Sequence, residues 1–148
     1  MNKKELRTIL LVEDSHADAE MAIDALNEAH LANPVVHVED GVECLDYLHA
    51  RGAFEGRSTG DPAVVLLDIK MPRMNGLDVL TEMRAHTRLR RIPVVILSSS
   101  REESDLARSW DMGVNAYVVK PVDVDQFFGA VQTLGRFWAL INQAPEVE

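Results

Sequence analysis

The sequence predicts an α/β fold: a doubly wound, five-stranded parallel sheet. Three observations predict it. Five short apolar runs rich in β-branched residues are spaced along the chain. Stretches with apolar residues at helical spacing alternate with them. And those of the strand-like runs that are continuously apolar read as strands covered on both faces. Strand–helix alternation of this kind builds a parallel sheet with right-handed crossovers. For five strands the common doubly wound order is 2-1-3-4-5, an order adopted from the fold class and not read from the residues.

The first strand is read at Thr8–Val12, and Asp18 to His30 follows as a helix through Met21, Ala22, Ala25, Leu26 and Ala29. Val35–Val38 is the second strand, and Val42 to Ala50 the second helix, on Val42, Leu45 and Leu48. A longer polar, glycine-bearing loop, Gly52–Pro62, leads to the third strand at Ala63–Leu67. The third helix, Gly76 to Arg84, buries Leu77, Leu80 and Met83, with Asn75 as its cap. Pro93–Leu97 is the fourth strand; Glu102 to Asp111 is the fourth helix, ended by Gly113. Ala116–Val119 is the fifth strand, and Asp123 to Ile141 a last helix with Phe127, Val131, Leu134, Trp138 and Ile141 in one stripe. The chain reads as one domain over 1–148, with a core of about 7–142 and a tail of 143–148.

Composition narrows the function. The 148 residues carry 24 acidic and 15 basic side chains, a net charge of -9. Such a surface repels nucleic-acid phosphates and anionic lipids, so no nucleic-acid partner is expected. The basic run Arg84–Arg91 reads as a solvated helix end and loop. No apolar run approaches the length of a membrane span, and Met1–Arg7 lacks the apolar core of a signal peptide. With one cysteine, Cys44, no intrachain disulfide is possible. That suits a reducing compartment, and a cytoplasmic location is expected. The histidines His16, His30, His37, His49 and His86 show no metal-ligand spacing.

Polar residues follow the strands. Glu13 and Asp14 come after the first, Asp68 after the third, Ser98 after the fourth and Lys120 after the fifth. The carboxyl ends of parallel strands share one edge, where such sheets bind ligands. Alone, Asp68 would read as a turn residue; with these partners it reads as reactive. Two like charges about 4 Å apart cost roughly 4 kcal/mol at an effective dielectric near 20. Three carboxylates therefore call for a proton or a hard cation, Mg²⁺ or Mn²⁺. Asp14 and Asp68 suit direct ligation, Glu13 ligates directly or through water, and a backbone carbonyl just after Asp68, that of Lys70, supplies another oxygen. Asp68 can then act as a nucleophile toward phosphorus. Lys120 would neutralise one phosphoryl oxygen and the Ser98 hydroxyl would bond another. Ser99 and Ser100 compete for that role, and strand register selects Ser98.

On these residues the sequence resembles the receiver domains of bacterial response regulators, the flavodoxin-like switches of two-component signalling. The motif set is Glu13-Asp14, Asp68 with Met71-Pro72 and Asn75-Gly76, Ser98-Ser99, and Lys120-Pro121. The resemblance spans about Thr8 to Ile141. It implies that Asp68 is the phospho-acceptor, Asp14 and Glu13 the metal-binding acids and Lys120 the phosphate-pairing lysine. Ser98 would be the switch hydroxyl and Tyr117 the aromatic switch residue, although Tyr117 also reads as core filler. The Lys120-Pro121 bond is typically cis in this family. Glu13 stands where an Asp is usual, Ser98 where Thr is commoner, and Ser99 where a small apolar residue is. A sensor histidine kinase is the implied partner.

The chain further resembles stand-alone receivers that serve bacterial phytochromes, through Val35–Gly41, the Gly52–Pro62 loop, Leu97–Ser100 and the aromatic last helix. That resemblance implies a bacteriophytochrome as the kinase. Phe128, Phe137 and Leu140 fall off the stripe of the last helix, so a homodimer through that helix is expected. Lys70 and Ser100 are expected to line the approach of the water that hydrolyses the aspartyl phosphate. The rival reading is a metal-dependent phosphatase with an aspartate nucleophile. It needs an acid two residues after the nucleophile, where this chain has Lys70.

Overall fold

Three of the five runs become strands buried along their whole length, and the other two form the partly exposed edges of the same sheet. The computed structural model describes residues 7–28, 31–57, 60–99, 111–114 and 116–120, together with 123, 125 and 129. Its strands are β1 (Ile9–Val12), β2 (Val35–Val38), β3 (Val64–Leu67), β4 (Val94–Ser98) and β5 (Ala116–Val119). All pair in parallel, in the order β2-β1-β3-β4-β5 expected of the fold class. The described helices are α1 (His16–Glu28), α2 (Gly41–His49) and α3 (Gly76–Ala85).

Alternation within each strand sorts the core into two layers. Ile9, Leu11, Val64 and Leu66 point to one side, with Ala22 and Leu26 of α1. Leu10, Val12, Val65 and Leu67 point to the other, with residues of α2 and α3. Cys44 is fully buried there, as its apolar setting predicts.

Helix boundaries follow their caps. Asn75 accepts the Asp78 N–H at 2.9 Å, as expected, and Asp40 accepts that of Glu43 at 2.9 Å. Helix α1 begins earlier than its apolar spacing indicates, at His16 and not Asp18, because Ser15 Oγ accepts the Asp18 N–H. Strand β4 runs through Ser98, one residue past the expected end. Gly113 takes φ +76, the left-handed conformation of a helix stop.

Two stretches read as polar loop or solvated surface are in fact pinned by arginines. Arg84 is no freely solvated helix end: it donates to the carbonyls of Met112, Arg90 and Gly113. In the Gly52–Pro62 stretch, Gly52–Phe54 forms a 3-10 turn, and Arg57 lies over the Tyr47 ring while donating to the carbonyls of Tyr47, Leu48 and Gly60. Among the described residues, no helix is long and apolar enough to cross a membrane. The expected fourth helix apart from Asp111, the residues Ser100 and Pro121, and Phe127, Phe128, Val131, Leu134, Phe137, Trp138, Leu140 and Ile141 of the expected last helix lie outside the described residues.

Candidate functional site

Register brings the polar strand ends together. Val12 pairs with Leu67, so Glu13 and Asp68 leave the sheet side by side. Ser98 pairs with Val119, so Lys120 emerges one residue beyond the end of β4. The backbone continues the ladder past the strands: Asp68 N–H donates to Val12 O at 3.0 Å and Lys120 N–H to Ser98 O at 2.9 Å. Glu13 is held from the other side, its N–H on Val38 O and its own carbonyl accepting from His37 Nε2 at 2.8 Å. Beyond Asp68 the chain turns at once into α3. Gly76 N–H reaches Ile69 O at 2.7 Å, and a Cβ on Gly76 would stand 2.1 Å from the Asp68 carbonyl.

Glu13, Asp14 and Asp68 each offer a carboxylate oxygen within 4.8 Å of the others. Glu13 and Asp68 are buried, and Asp14 is exposed. Three hard anionic oxygens at this spacing fit a divalent cation of Mg²⁺ or Mn²⁺ type, which takes oxygen ligands and keeps some of its water. The exposed side of Asp14 leaves room for that water. No other group of three such side chains gathers among the described residues, and no histidine joins this one.

Lys120 supplies the positive charge. Its Nζ lies against the Glu13 carboxylate, 3.0 Å from Asp18 Oδ2 and 3.2 Å from Asp68 Oδ2. Burial pushes the carboxyls of Glu13 and Asp68 up, against the opposing pull of Lys120. Burial would lower the ammonium, but the hydrogen bonds it donates to Glu13 and Asp18 outweigh it and hold Lys120 above the ordinary lysine range. A desolvated carboxylate beside a firmly charged ammonium can attack an electrophilic phosphorus while the ammonium meets the phosphoryl oxygens.

Ser98 is buried at the end of β4, on the shared edge. Tyr117, in β5, is partly buried and packs against the layer that contains α2 and α3. Lys70 is exposed two residues after Asp68. One carboxylate at the site, Asp18, was not expected there. It sits in a helix turn, and its meeting with Lys120 spans 102 residues of chain, so no local pattern announces it.

A parallel 2-1-3-4-5 sheet with this acidic edge and its lysine defines the receiver class of two-component signalling, and the chain belongs to that family: the response regulator receiver domain profile matches residues 9–132. Response regulator Rcp1 of Synechocystis sp. is 33% identical over 132 residues, 89% of this chain and 88% of its own length. The structure of the bacteriophytochrome response regulator AtBRR is 56% identical, with TM-score 0.85, covering 95% of this chain and all 100% of that one. The phosphorylated cyanobacterial phytochrome response regulator RcpA is 37% identical at TM-score 0.75, covering 91% and 95%. Rcp1 in its Mn²⁺-bound form is 32% identical at TM-score 0.75, covering 95% and 99%. The chain is thus a two-component response regulator receiver domain related to phytochrome response regulators.

Proposed function

We propose that the chain accepts a phosphoryl group on Asp68 from a sensor histidine kinase and signals through protein contacts or onward phosphotransfer. The observation that carries this is the meeting of Glu13, Asp14 and Asp68 within 4.8 Å, with Lys120 Nζ at 3.2 Å from Asp68. An Asp68 oxygen attacks phosphorus, the P–N bond to the kinase histidine breaks, and the leaving imidazole takes up a proton. Lys120 meets one phosphoryl oxygen, and Ser98 donates its hydroxyl proton to another. Glu13, Asp14, Asp68 and the Lys70 carbonyl would hold Mg²⁺ or Mn²⁺, which supplies charge neutralisation between attacker and phosphoryl group. Mn²⁺-bound Rcp1 and phosphorylated RcpA support both halves of this reading by similarity.

AtBRR, named a bacteriophytochrome response regulator, supports a phytochrome kinase as donor and hence a cytoplasmic setting. In the same reading, Ser98 and Tyr117 switch together on phosphorylation, Lys70 and Ser100 govern hydrolysis, and a homodimer forms through the last helix. Lys70 stands where a phosphatase would need its acid, so turnover of exogenous phosphate esters is not expected.

Intact mass after incubation with a small phosphodonor and Mg²⁺ tests the proposal. One added phosphoryl group is expected for the wild type and none for Asp68→Asn. Equal addition to Asp68→Asn would place the acceptor elsewhere.

A further inference from the structure

Lys120 spends its three N–H donors on three carboxylates: Glu13, Asp18 and Asp68. Two of these, Glu13 and Asp68, also belong to the cluster suited to a divalent cation. An ammonium seated on both would repel a cation on the same oxygens. The third carboxylate, Asp18, stands outside that cluster. We propose that Asp18 is a positioning residue for Lys120: it draws the ammonium toward itself, so that Glu13 and Asp68 can take a cation while Lys120 stays in reach of a phosphoryl group on Asp68. This rests on the metal-dependent reading of the site given above.

Local structure leaves Asp18 free for the task. Ser15 caps α1, accepting the Asp18 N–H at 3.2 Å. An acid at this position, three residues after a serine cap, ordinarily reaches back to the serine N–H. Here Glu13 Oε2 takes that N–H, at 3.1 Å. The Asp18 carboxylate therefore turns to Lys120 instead. Its backbone is fixed by the first helical turn, with Ala19 N–H on Ser15 O at 2.9 Å. Exposure grades outward along the lysine's partners: the Glu13 side chain is 3% exposed, that of Asp18 39%. A move toward Asp18 thus takes the ammonium away from the buried carboxylates and toward water.

A double-mutant cycle on Mg²⁺ affinity, read by calorimetric titration of chelator-treated protein, tests this. The proteins are wild type, Asp18→Asn, Lys120→Met and the double variant. Asp18→Asn is expected to weaken Mg²⁺ binding about tenfold when Lys120 is present, and much less in Lys120→Met, because coupled neighbours are non-additive. Equal losses in both backgrounds would make Asp18 a distant charge and overturn the proposal. Glu20→Gln, which removes an equal charge from an exposed position of α1, gives a second reading that does not require Lys120→Met to fold. It is expected to weaken binding far less than Asp18→Asn, and a matching loss overturns the proposal. Wild type that binds no Mg²⁺ would overturn the metal reading itself, and this proposal with it.

Discussion

Asp40 serves two partners with one carboxylate. One oxygen caps α2 by accepting the Glu43 N–H; the other accepts from Arg73 Nε at 2.8 Å. Arg73 sits at φ +63, in the left-handed region, which costs a residue with a Cβ about 1 kcal/mol. The ion pair holds that strained residue in the loop between Asp68 and α3. Burial alone would raise the Asp40 carboxyl, but the Glu43 N–H and the Arg73 guanidinium outweigh it and the pKa is lowered. A lowered folded pKa adds stability above the ordinary aspartate value of about 3.9, and that stability is lost as pH falls through the folded value. Asp40→Asn keeps a capping acceptor and loses the charge. It should cost about 1 kcal/mol at neutral pH, discounted because the Arg73 side chain is 57% exposed. Denaturant melts across pH should show this gap closing below pH of about 4. A gap of constant size down to low pH would show that the charge is not its source.

At the scale of elements, the approach of α3 to β3 is the tightest in the site. Gly76 opens the helix directly over the Asp68 carbonyl, where any Cβ would collide with backbone at 2.1 Å. Backbone cannot rotate away as a side chain can. Gly76→Ala should therefore lift α3 off the strand end, cost about 2 kcal/mol as an overpacking change, and slow phosphoryl acceptance by displacing Asp68. Thermal melts and intact mass together check it; a variant that melts and labels like wild type refutes the packing account. The elements themselves were largely legible, because each strand is mostly apolar and β-branched and each described helix has a stripe. Asn75 was legible as a cap since capping is a contact three residues long. The start of α1 was misplaced because apolar spacing was followed and the Ser15 cap passed over. What had no local signal were the contacts that cross elements: Asp40 with Arg73, Arg84 with the Met112–Gly113 turn, and Asp18 with Lys120. The acidic edge could be read because its residues follow the strands; the residues that contact it from helices and loops had no such signal.

At the scale of the whole molecule, the carboxylates of the site gather at one end of the strands. One sheet edge gathers Glu13, Asp14, Asp18 and Asp68 around the Lys120 ammonium. Near the opposite edge Arg7, Arg57, Arg84 and Arg88 donate to backbone carbonyls. In a chain of net charge -9, packing carboxylates at one end opposes folding, and desolvation by burial separately raises the Asp68 carboxyl. A raised folded pKa means that the ionised form costs stability once pH exceeds the ordinary aspartate value. Asp68→Asn should therefore melt higher than wild type in chelator at neutral pH. Saturating Mg²⁺ should reverse the order. A cation at about 100 times its Kd adds about 2.7 kcal/mol to the folded state that binds it. That is a rise of roughly 5–10 °C at the 2–4 °C per kcal/mol of domains this size. Asp68→Asn has lost one ligand, so its rise should be much smaller. Thermal melts of both proteins, with chelator and with Mg²⁺, measure the two effects separately. If Asp68→Asn melts no higher in chelator, Lys120 already offsets the desolvation of the ionised carboxyl; if wild type gains nothing from Mg²⁺, the acidic edge holds no cation.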